Sequence, residues 1–199
     1  KLQLLIYPIK IRCGIGYGEI KYDVEKWSSS AFDGEAYYLA REAINEVSKF
    51  ATVCAGGIIT STQADFALQN GAKLFASPIF HMNLVKISKN LRIPFIAGTT
   101  TANEAYNAWK TRIPLIKIFP ADAMGGASYI ENILRQMQFL NLMPMGNIKL
   151  ADVVSYLKAG AVAVGVGRDF YQGFTPKEIT ARTKEILVEV KDFASWNKK

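Results

Sequence analysis

One lysine lies inside a stretch of sequence that is otherwise suited to full burial. Lys117 is the only charged residue of the run from 114 to 120, Pro-Leu-Ile-Lys-Ile-Phe-Pro. Apolar surroundings penalise the ammonium form and favour the neutral amine. A neutral amine can attack a carbonyl carbon and form a Schiff base. The alternative is that Lys117 buries only its aliphatic stem and extends its charge to solvent from a strand end.

A second group of residues could hold an anion. Gly165, Gly167 and Arg168 directly follow an apolar run and would offer backbone N–H groups and a guanidinium, and Gly146 lies one apolar run earlier. Glycine-rich loops of this kind commonly bind phosphate. A simple tight turn is the alternative reading. His81, the only histidine, is expected to be a surface loop residue without a catalytic role.

Composition excludes several classes of protein. The chain has 199 residues, of which 50% are hydrophobic and 21% charged, as expected for one globular domain with a large core. Two cysteines and one histidine exclude a disulfide framework, a four-cysteine zinc site and a multi-histidine metal site. No apolar run approaches the ~18 residues of a membrane span. We therefore expect a cytoplasmic protein in a reducing compartment.

The net charge of +7 does not by itself indicate which molecules the protein binds. Its basic residues are scattered singly and are not interleaved with aromatic residues, so nucleic-acid binding is not expected. A solvated basic surface explains the pattern, and an attraction to small anionic substrates stays open.

Short apolar runs recur from residue 50 onward at a regular distance. Neighbouring centres are 21, 21, 21, 26 and 21 residues apart, and the six centres are Cys54, Phe75, Ile96, Lys117, Met143 and Val164. The gaps contain helical patterns, two of which end at Gly71 and Gly160, as helix C-termini often do. Strands that alternate with helices in this way predict βα units and a parallel sheet.

An open doubly wound sheet and a (β/α)8 barrel could both contain six such units. Polar or glycine-rich residues follow almost every predicted strand, and active residues at many strand ends are typical of the barrel. We therefore predict an α/β TIM barrel in one domain, 1–199, with an atypical or incomplete N-terminal quarter. Residues 1–50 would be the front segment, 51–171 strands three to eight, and 172–199 a C-terminal helix.

Several segments resemble one enzyme family. Residues 115–126, Leu-Ile-Lys-Ile-Phe-Pro-Ala-Asp-Ala-Met-Gly-Gly, are similar to the Schiff-base segment of the 2-keto-3-deoxy-6-phosphogluconate (KDPG)/4-hydroxy-2-oxoglutarate (KHG) aldolases, and further segments between 51 and 171 match in order. The resemblance implies a (β/α)8 class I aldolase, usually a homotrimer, which cleaves KDPG to pyruvate and glyceraldehyde 3-phosphate. It implies no metal or organic cofactor.

The resemblance also implies roles for individual residues. Lys117 would form the imine with the keto carbon of a small phosphorylated keto acid. The residues that would line the pocket or hold the phosphate are Phe119, Pro78, Thr99, Thr100, Thr101, Gly146, Gly165, Gly167 and Arg168.

The chain departs from the family pattern at several positions. Gly57 and Met145 stand where the family has threonine, and Arg168 stands where it has serine. The family's general acid/base glutamate has no clean copy in residues 1–50. Glu25 is the nearest candidate and Glu19 a second one, and a missing carboxylate would lower the rate by roughly 10² to 10⁴.

Residues 1–46 instead resemble the C-terminal part of the SatD-like family, which is reminiscent of nucleotide cyclases. Two alternatives to efficient catalysis therefore stay open. The chain could be a catalytically impaired barrel that binds a phosphorylated metabolite without cleaving it. It could also be a fusion with a SatD-like, nucleotide-cyclase-related front segment that binds a nucleotide.

Overall fold

A computed structural model describes residues 4–6, 52, 54–69 and 71–196. The strands are β1 (Leu4–Ile6), β2 (Cys54–Ala55), β3 (Leu74–Ala76), β4 (Phe95–Thr99), β5 (Leu115–Ile118), β6 (Leu142–Pro144) and β7 (Val164–Val166). The helices are α1 (Ser61–Gln69), α2 (Met82–Leu91), α3 (Ala102–Lys110), α4 (Gly126–Gln136), α5 (Val153–Lys158), α6 (Arg168–Tyr171) and α7 (Pro176–Trp196), and a 3₁₀ turn, Leu150–Asp152, precedes α5. Within these ranges no helix is both long and apolar enough to cross a membrane.

Six parallel strands follow one another in the order of the sequence. β2 to β6 form a five-stranded parallel sheet, and a parallel bridge between Met145 and Gly165 joins β7 to its end. Each strand is followed by at least one helix or helical turn, so the predicted α/β class with a parallel sheet is confirmed. β1 pairs with β7 in the antiparallel direction. All strands of a regular (β/α)8 barrel are parallel, so β1 is irregular for that fold.

The last strand lies later in the sequence than the pattern predicts. The apolar run 161–164 suggests a strand that ends before the glycines, whereas β7 consists of Val164, Gly165 and Val166. Gly165 is therefore a strand residue and not part of the loop. Glycine suits this strand position because a Cβ on Gly165 would overlap the Met145 side chain, whose Cγ lies 2.3 Å from the Cβ position.

Two separate apolar clusters lie on the two faces of the sheet. The larger one fills the space between the strands and the helices, and Ile116 and Ile118 belong to it. The smaller one lies on the opposite, inner face and consists of Ala76, Ile96, Met143, Met145 and Ala163, with Leu74, Leu115 and Phe119 packed against it. Both faces are apolar, as a sheet covered by helices and curved around an interior requires.

A glycine in β4 allows one loop to approach the sheet very closely. A Cβ on Gly98 would lie 2.2 Å from the carbonyl carbon of Pro78 and 2.4 Å from its oxygen. These are backbone atoms of the segment between β3 and α2, so they cannot move away as a flexible side chain would. Gly98 pairs in register with Lys117, so this contact also shapes the space beside the lysine.

We predict that Gly98→Ala destabilises the protein by about 3 kcal/mol or more, because the added methyl group overpacks against backbone. The control is Gly71→Ala, since Gly71 has φ +93° and open space around its Cβ position. The free energy of unfolding of the Gly71→Ala variant should fall only by the cost of placing alanine in left-handed backbone, about 1–2 kcal/mol. Urea unfolding measures both. A Gly98→Ala variant as stable as the Gly71→Ala variant would contradict the packing.

Candidate active site

Lys117 projects into the interior of the curved sheet. Along β5, Ile116 and Ile118 pack on the helices, whereas Leu115 and Phe119 belong to the inner cluster. Side chains alternate between the two faces of a strand, so Lys117 shares the inner face. It is only 5% exposed. The alternative in which its charge extends to solvent is therefore wrong.

The immediate surroundings of the Lys117 amine are aromatic and apolar. Its Nζ lies 4.4 Å from the centroid of the Phe119 ring, at a distance typical of a cation–π contact. Its register partners are Gly98 on β4 and Met143 on β6. The described residues form two ion pairs, Arg135–Glu131 and Arg182–Asp169, so Lys117 has no carboxylate partner among them. Burial consequently lowers the pKa of the amine below its usual value.

Among the described residues, Cys54 is the titratable group that interacts electrostatically with Lys117. Burial of the thiol raises the pKa of Cys54 to about 11, and the positive charge of Lys117 offsets part of that rise. The thiol nevertheless belongs to a residue that is exposed overall, at the end of the described parallel sheet. At neutral pH it is protonated, so Cys54 is neither a nucleophile nor a counter-ion of the lysine.

Two of the three consecutive threonines at the carboxyl end of β4 support the backbone that carries the lysine. Thr99 is buried, and its hydroxyl donates a hydrogen bond to the Lys117 carbonyl at 3.1 Å. The Thr100 hydroxyl donates to the Phe119 carbonyl at 2.9 Å. In return, the Phe119 N–H donates to the Thr99 carbonyl at 2.8 Å. These contacts fix the positions of Lys117 and Phe119 relative to β4.

Thr101 has a different local role. It is the N-cap of α3, and its hydroxyl accepts a hydrogen bond from the Glu104 N–H at 3.3 Å. The Glu104 carboxylate accepts from the Thr101 and Thr100 N–H groups, each at 2.8 Å. These hydrogen bonds hold the pKa of Glu104 below its usual value. The arrangement is a capping box, which explains where α3 begins.

The loop after β6 packs against Phe119. Gly146 has φ +102°, and a Cβ there would lie 2.9 Å from the Phe119 ring. The next residue, Asn147, donates through Nδ2 to the Asp122 carboxylate at 3.1 Å. Three of the predicted site residues, Lys117, Phe119 and Gly146, are therefore neighbours in the structure. Pro78 lies beside them, since its backbone covers Gly98.

The loop after β7 is held by contacts that the sequence pattern does not indicate. Gly167 precedes α6, and Arg168, its first residue, is exposed. The Asp169 carboxylate accepts hydrogen bonds from the Leu150 N–H at 2.8 Å and from Arg182 Nη2 at 3.2 Å. Asp169 and Arg182 were not candidates from the sequence, because residues 13 positions apart show no pairing signal before the fold is known.

Other sequence predictions have separate outcomes. Glu25, Glu19 and all of the SatD-like segment except Leu4–Ile6 lie outside the described residues. His81 is exposed, as expected, and it is also the N-cap of α2, with its Nδ1 accepting from the Asn83 N–H at 3.2 Å. Gly57 has φ +78° and nothing near its Cβ position. Among the described residues, no group of three or more histidine, cysteine or acidic side chains could hold a metal ion.

The fold and site define a class of protein: a parallel α/β protein with a desolvated lysine in its interior and glycine-containing loops at the carboxyl ends of its last strands. A family model described as KDPG and KHG aldolase matches residues 34–183. The chain belongs to this family. The match starts inside the stretch that resembles the SatD-like family and extends beyond residues 51–171 at both ends.

Individual relatives agree with this assignment. The chain is 30% identical to the 2-dehydro-3-deoxy-phosphogluconate aldolase of Haemophilus influenzae over 105 residues, 53% of this chain and 50% of that protein. It thus spans about half the length of that curated relative. The solved structure of native KDPGal has a TM-score of 0.68 at 22% identity over 78% of this chain and 76% of its own.

A second solved structure also shares the fold. The KDPG aldolase from Legionella pneumophila, with pyruvate captured as a covalent carbinolamine intermediate, has a TM-score of 0.62 at 22% identity. It covers 77% of this chain and 73% of that chain. The TIM-like α/β fold is therefore confirmed by comparison.

We predict that Phe119→Leu lowers the pKa of Lys117 further. The substitution removes the aromatic face that stabilises the ammonium and keeps the apolar surroundings that penalise it. The neutral amine would then predominate at a lower pH. Competitive acetylation of the lysines at a series of pH values, read by peptide mass spectrometry, measures the shift.

The matched control is Tyr106→Leu, because Lys110 Nζ lies 5.1 Å from the Tyr106 ring at the protein surface. This control should leave the titration of Lys117 unchanged. A titration of Lys117 that moves upward in the Phe119→Leu variant would contradict the contact.

Proposed function

We propose that the chain is a lyase, a class I aldolase that cleaves KDPG to pyruvate and glyceraldehyde 3-phosphate, with 4-hydroxy-2-oxoglutarate as a second substrate. The observation that carries this proposal is the Lys117 amine, which is desolvated in an apolar interior and has no ion pair among the described residues. The names of the curated relatives support the choice of substrate.

The chemistry follows from the neutral amine. Lys117 attacks the C2 carbonyl carbon of the substrate, and loss of water gives a protonated imine. Removal of the proton from the C4 hydroxyl breaks the C3–C4 bond, whose electron pair moves into the imine. The aldehyde leaves, the resulting enamine takes up a proton at C3, and water hydrolyses the imine to pyruvate and free lysine. A lowered pKa of Lys117 increases the fraction of enzyme that can begin this sequence.

The proton on the C4 hydroxyl requires a general base. We assign this role to Glu25, which would take the proton and return it to the enamine. The apolar walls of Phe119 and Pro78 would exclude water from the imine and keep the attacking amine neutral. Thr99 and Thr100 would act through the backbone of β5, since their hydroxyls bond to the carbonyls of Lys117 and Phe119. Thr101 would border the same loop.

The phosphate of the substrate is assigned to the loops after β6 and β7. Gly146 and Gly167 would contribute backbone N–H groups from these loops, and Gly165 would adjoin them from within β7. Arg168 would contribute charge-assisted hydrogen bonds in place of a serine hydroxyl. The exposed guanidinium of Arg168 supports this role, because a phosphate group at the mouth of the site would lie near solvent.

Family membership also supports a proposal for assembly, location and cofactors. We assign the chain as a cytoplasmic homotrimer that binds a small phosphorylated keto acid and needs neither a metal nor an organic cofactor.

One feature favours a second function, binding without cleavage. Met145 covers the inner side of Gly165, with its Cγ, Cε and Sδ 2.3–2.7 Å from the Cβ position. An apolar side chain there has no hydroxyl to orient a substrate, and Gly57 has none either. A barrel of this kind could bind a phosphorylated metabolite and lack the groups that position it for bond cleavage.

Borohydride trapping with pyruvate tests the proposal. Reduction of an imine leaves pyruvate bound irreversibly to the lysine, so intact mass followed by peptide mapping identifies the residue. We expect one adduct, on Lys117, and cleavage of KDPG that Lys117→Ala abolishes. Lys117→Arg should form no adduct, because a guanidinium is not a nucleophile at neutral pH.

The matched control is Lys110→Arg, since Lys110 also lies over an aromatic ring but at the surface. It should keep the adduct and the activity. KDPG cleavage that survives Lys117→Ala would refute the aldolase proposal. An adduct without turnover would favour the binding-only function.

A further inference from the structure

The two loops assigned to phosphate binding are linked by one carboxylate. Asp169 follows Arg168 at the end of the β7 loop, and its Oδ2 accepts a hydrogen bond from the Leu150 N–H at 2.8 Å. Leu150 begins the short 3₁₀ turn that follows the β6 loop, in which Gly146 lies. Asp169 therefore connects the backbone of one loop to a side chain of the other.

A single arginine from the C-terminal helix holds this carboxylate. Arg182 lies on α7, and its Nη2 donates to the Asp169 backbone carbonyl at 2.8 Å and to Asp169 Oδ2 at 3.2 Å. Its guanidinium also stacks on the Phe174 ring at 4.0 Å. Contacts to both the main chain and the side chain of Asp169 restrict its position and its rotamer.

The contacts with Asp169 and Phe174 orient the Arg182 guanidinium, but they do not satisfy all of its hydrogen-bond donors. Its Nε is buried and has no hydrogen-bond partner among the described residues. An unsatisfied buried N–H opposes stability. The guanidinium therefore keeps its contacts with Asp169 and Phe174 although its Nε–H group is left without a hydrogen bond.

The charge of Asp169 matters because of its position. A carboxylate one residue from Arg168 would repel a phosphate bound at the same loop. Arg182 neutralises it. The side chains of Arg182 and Asp169 are 26% and 40% exposed, so water screens the pair only in part. Removal of Arg182 would leave the negative charge next to the proposed anion site and free the carboxylate from one of its two partners.

We propose that Asp169 and Arg182 are positioning residues, an ion-pair clamp that holds the β6 and β7 loops in the arrangement that binds the phosphate of the substrate. This inference rests on the proposed function for the identity of the substrate. The clamp acts on the phosphate end of the site and leaves the chemistry at Lys117 unaffected.

The test compares Arg182→Gln with Arg135→Gln. Arg135 also pairs with a carboxylate, Glu131, at 3.2 Å, but both side chains are well exposed on α4. Calorimetric titration with inorganic phosphate measures the anion site directly. Steady-state kinetics with KDPG and with unphosphorylated 4-hydroxy-2-oxoglutarate separate effects on phosphate binding from effects on chemistry.

We expect Arg182→Gln to weaken phosphate binding about tenfold, a change of about 1.4 kcal/mol, and to raise KM for KDPG by a similar factor. The kcat for both substrates and the yield of the pyruvate adduct on Lys117 should stay within about twofold. Arg135→Gln should change none of these values. In an Asp169→Ala background, Arg182→Gln should have little further effect, since both residues act through one contact.

Arg182→Lys keeps the charge and provides a milder variant if the glutamine variant does not fold. It should bind phosphate with an affinity between those of the original protein and Arg182→Gln, because an ammonium cannot reproduce the planar geometry of the guanidinium.

Equal phosphate affinity in the Arg182→Gln and Arg135→Gln variants would overturn the clamp, and so would an unaltered chain that does not bind phosphate. A parallel loss of the pyruvate adduct would also overturn it, because the role would then be general structural support. If the unaltered chain binds phosphate but forms no adduct, the aldolase proposal fails while the titration still tests the clamp.

Discussion

Burial of the Lys117 amine is the constraint on which the rest of the site depends. A charged lysine in an apolar interior is costly, so the surrounding contacts have to reduce that cost or favour the neutral form. Phe119 contacts the amine with its ring, and burial lowers the pKa. The Thr99 hydroxyl donates a hydrogen bond to the Lys117 carbonyl, and this bond opposes a backbone shift that would bring the amine to solvent. Burial thus both destabilises the charged form of Lys117 and makes its amine more nucleophilic.

Three glycines determine the shape of the space around this amine. Gly98 lets the Pro78 backbone approach β4, Gly146 lets the Phe119 ring approach the β6 loop, and Gly165 leaves room for Met145. Each position is filled by a neighbouring group, so the glycines create close packing and not empty volume. The interior beside Lys117 is therefore closely packed on the side of β6 and β7.

The carboxyl ends of the strands combine local and distant support. Thr101 and Glu104 cap α3 through contacts within four residues. Asp169 joins the β6 and β7 loops, and Arg182 joins them to α7. Loops held in this way can present backbone groups to a ligand with little reorganisation, which is how a rigid scaffold supports binding.

The sequence by itself determined the repeating βα units, the single lysine in an apolar strand and the family, because hydrophobic periodicity and short motifs are local signals. It also indicated Phe119 and Gly146 as neighbours of the lysine. Tertiary structure alone decided that the Thr99 and Thr100 hydroxyls bond to backbone carbonyls 18 and 19 residues away, that Gly165 belongs to a strand, and that Arg182 pairs with Asp169. These outcomes depend on which groups distant segments bring together, and a side chain with several possible partners selects one only when the chain is packed.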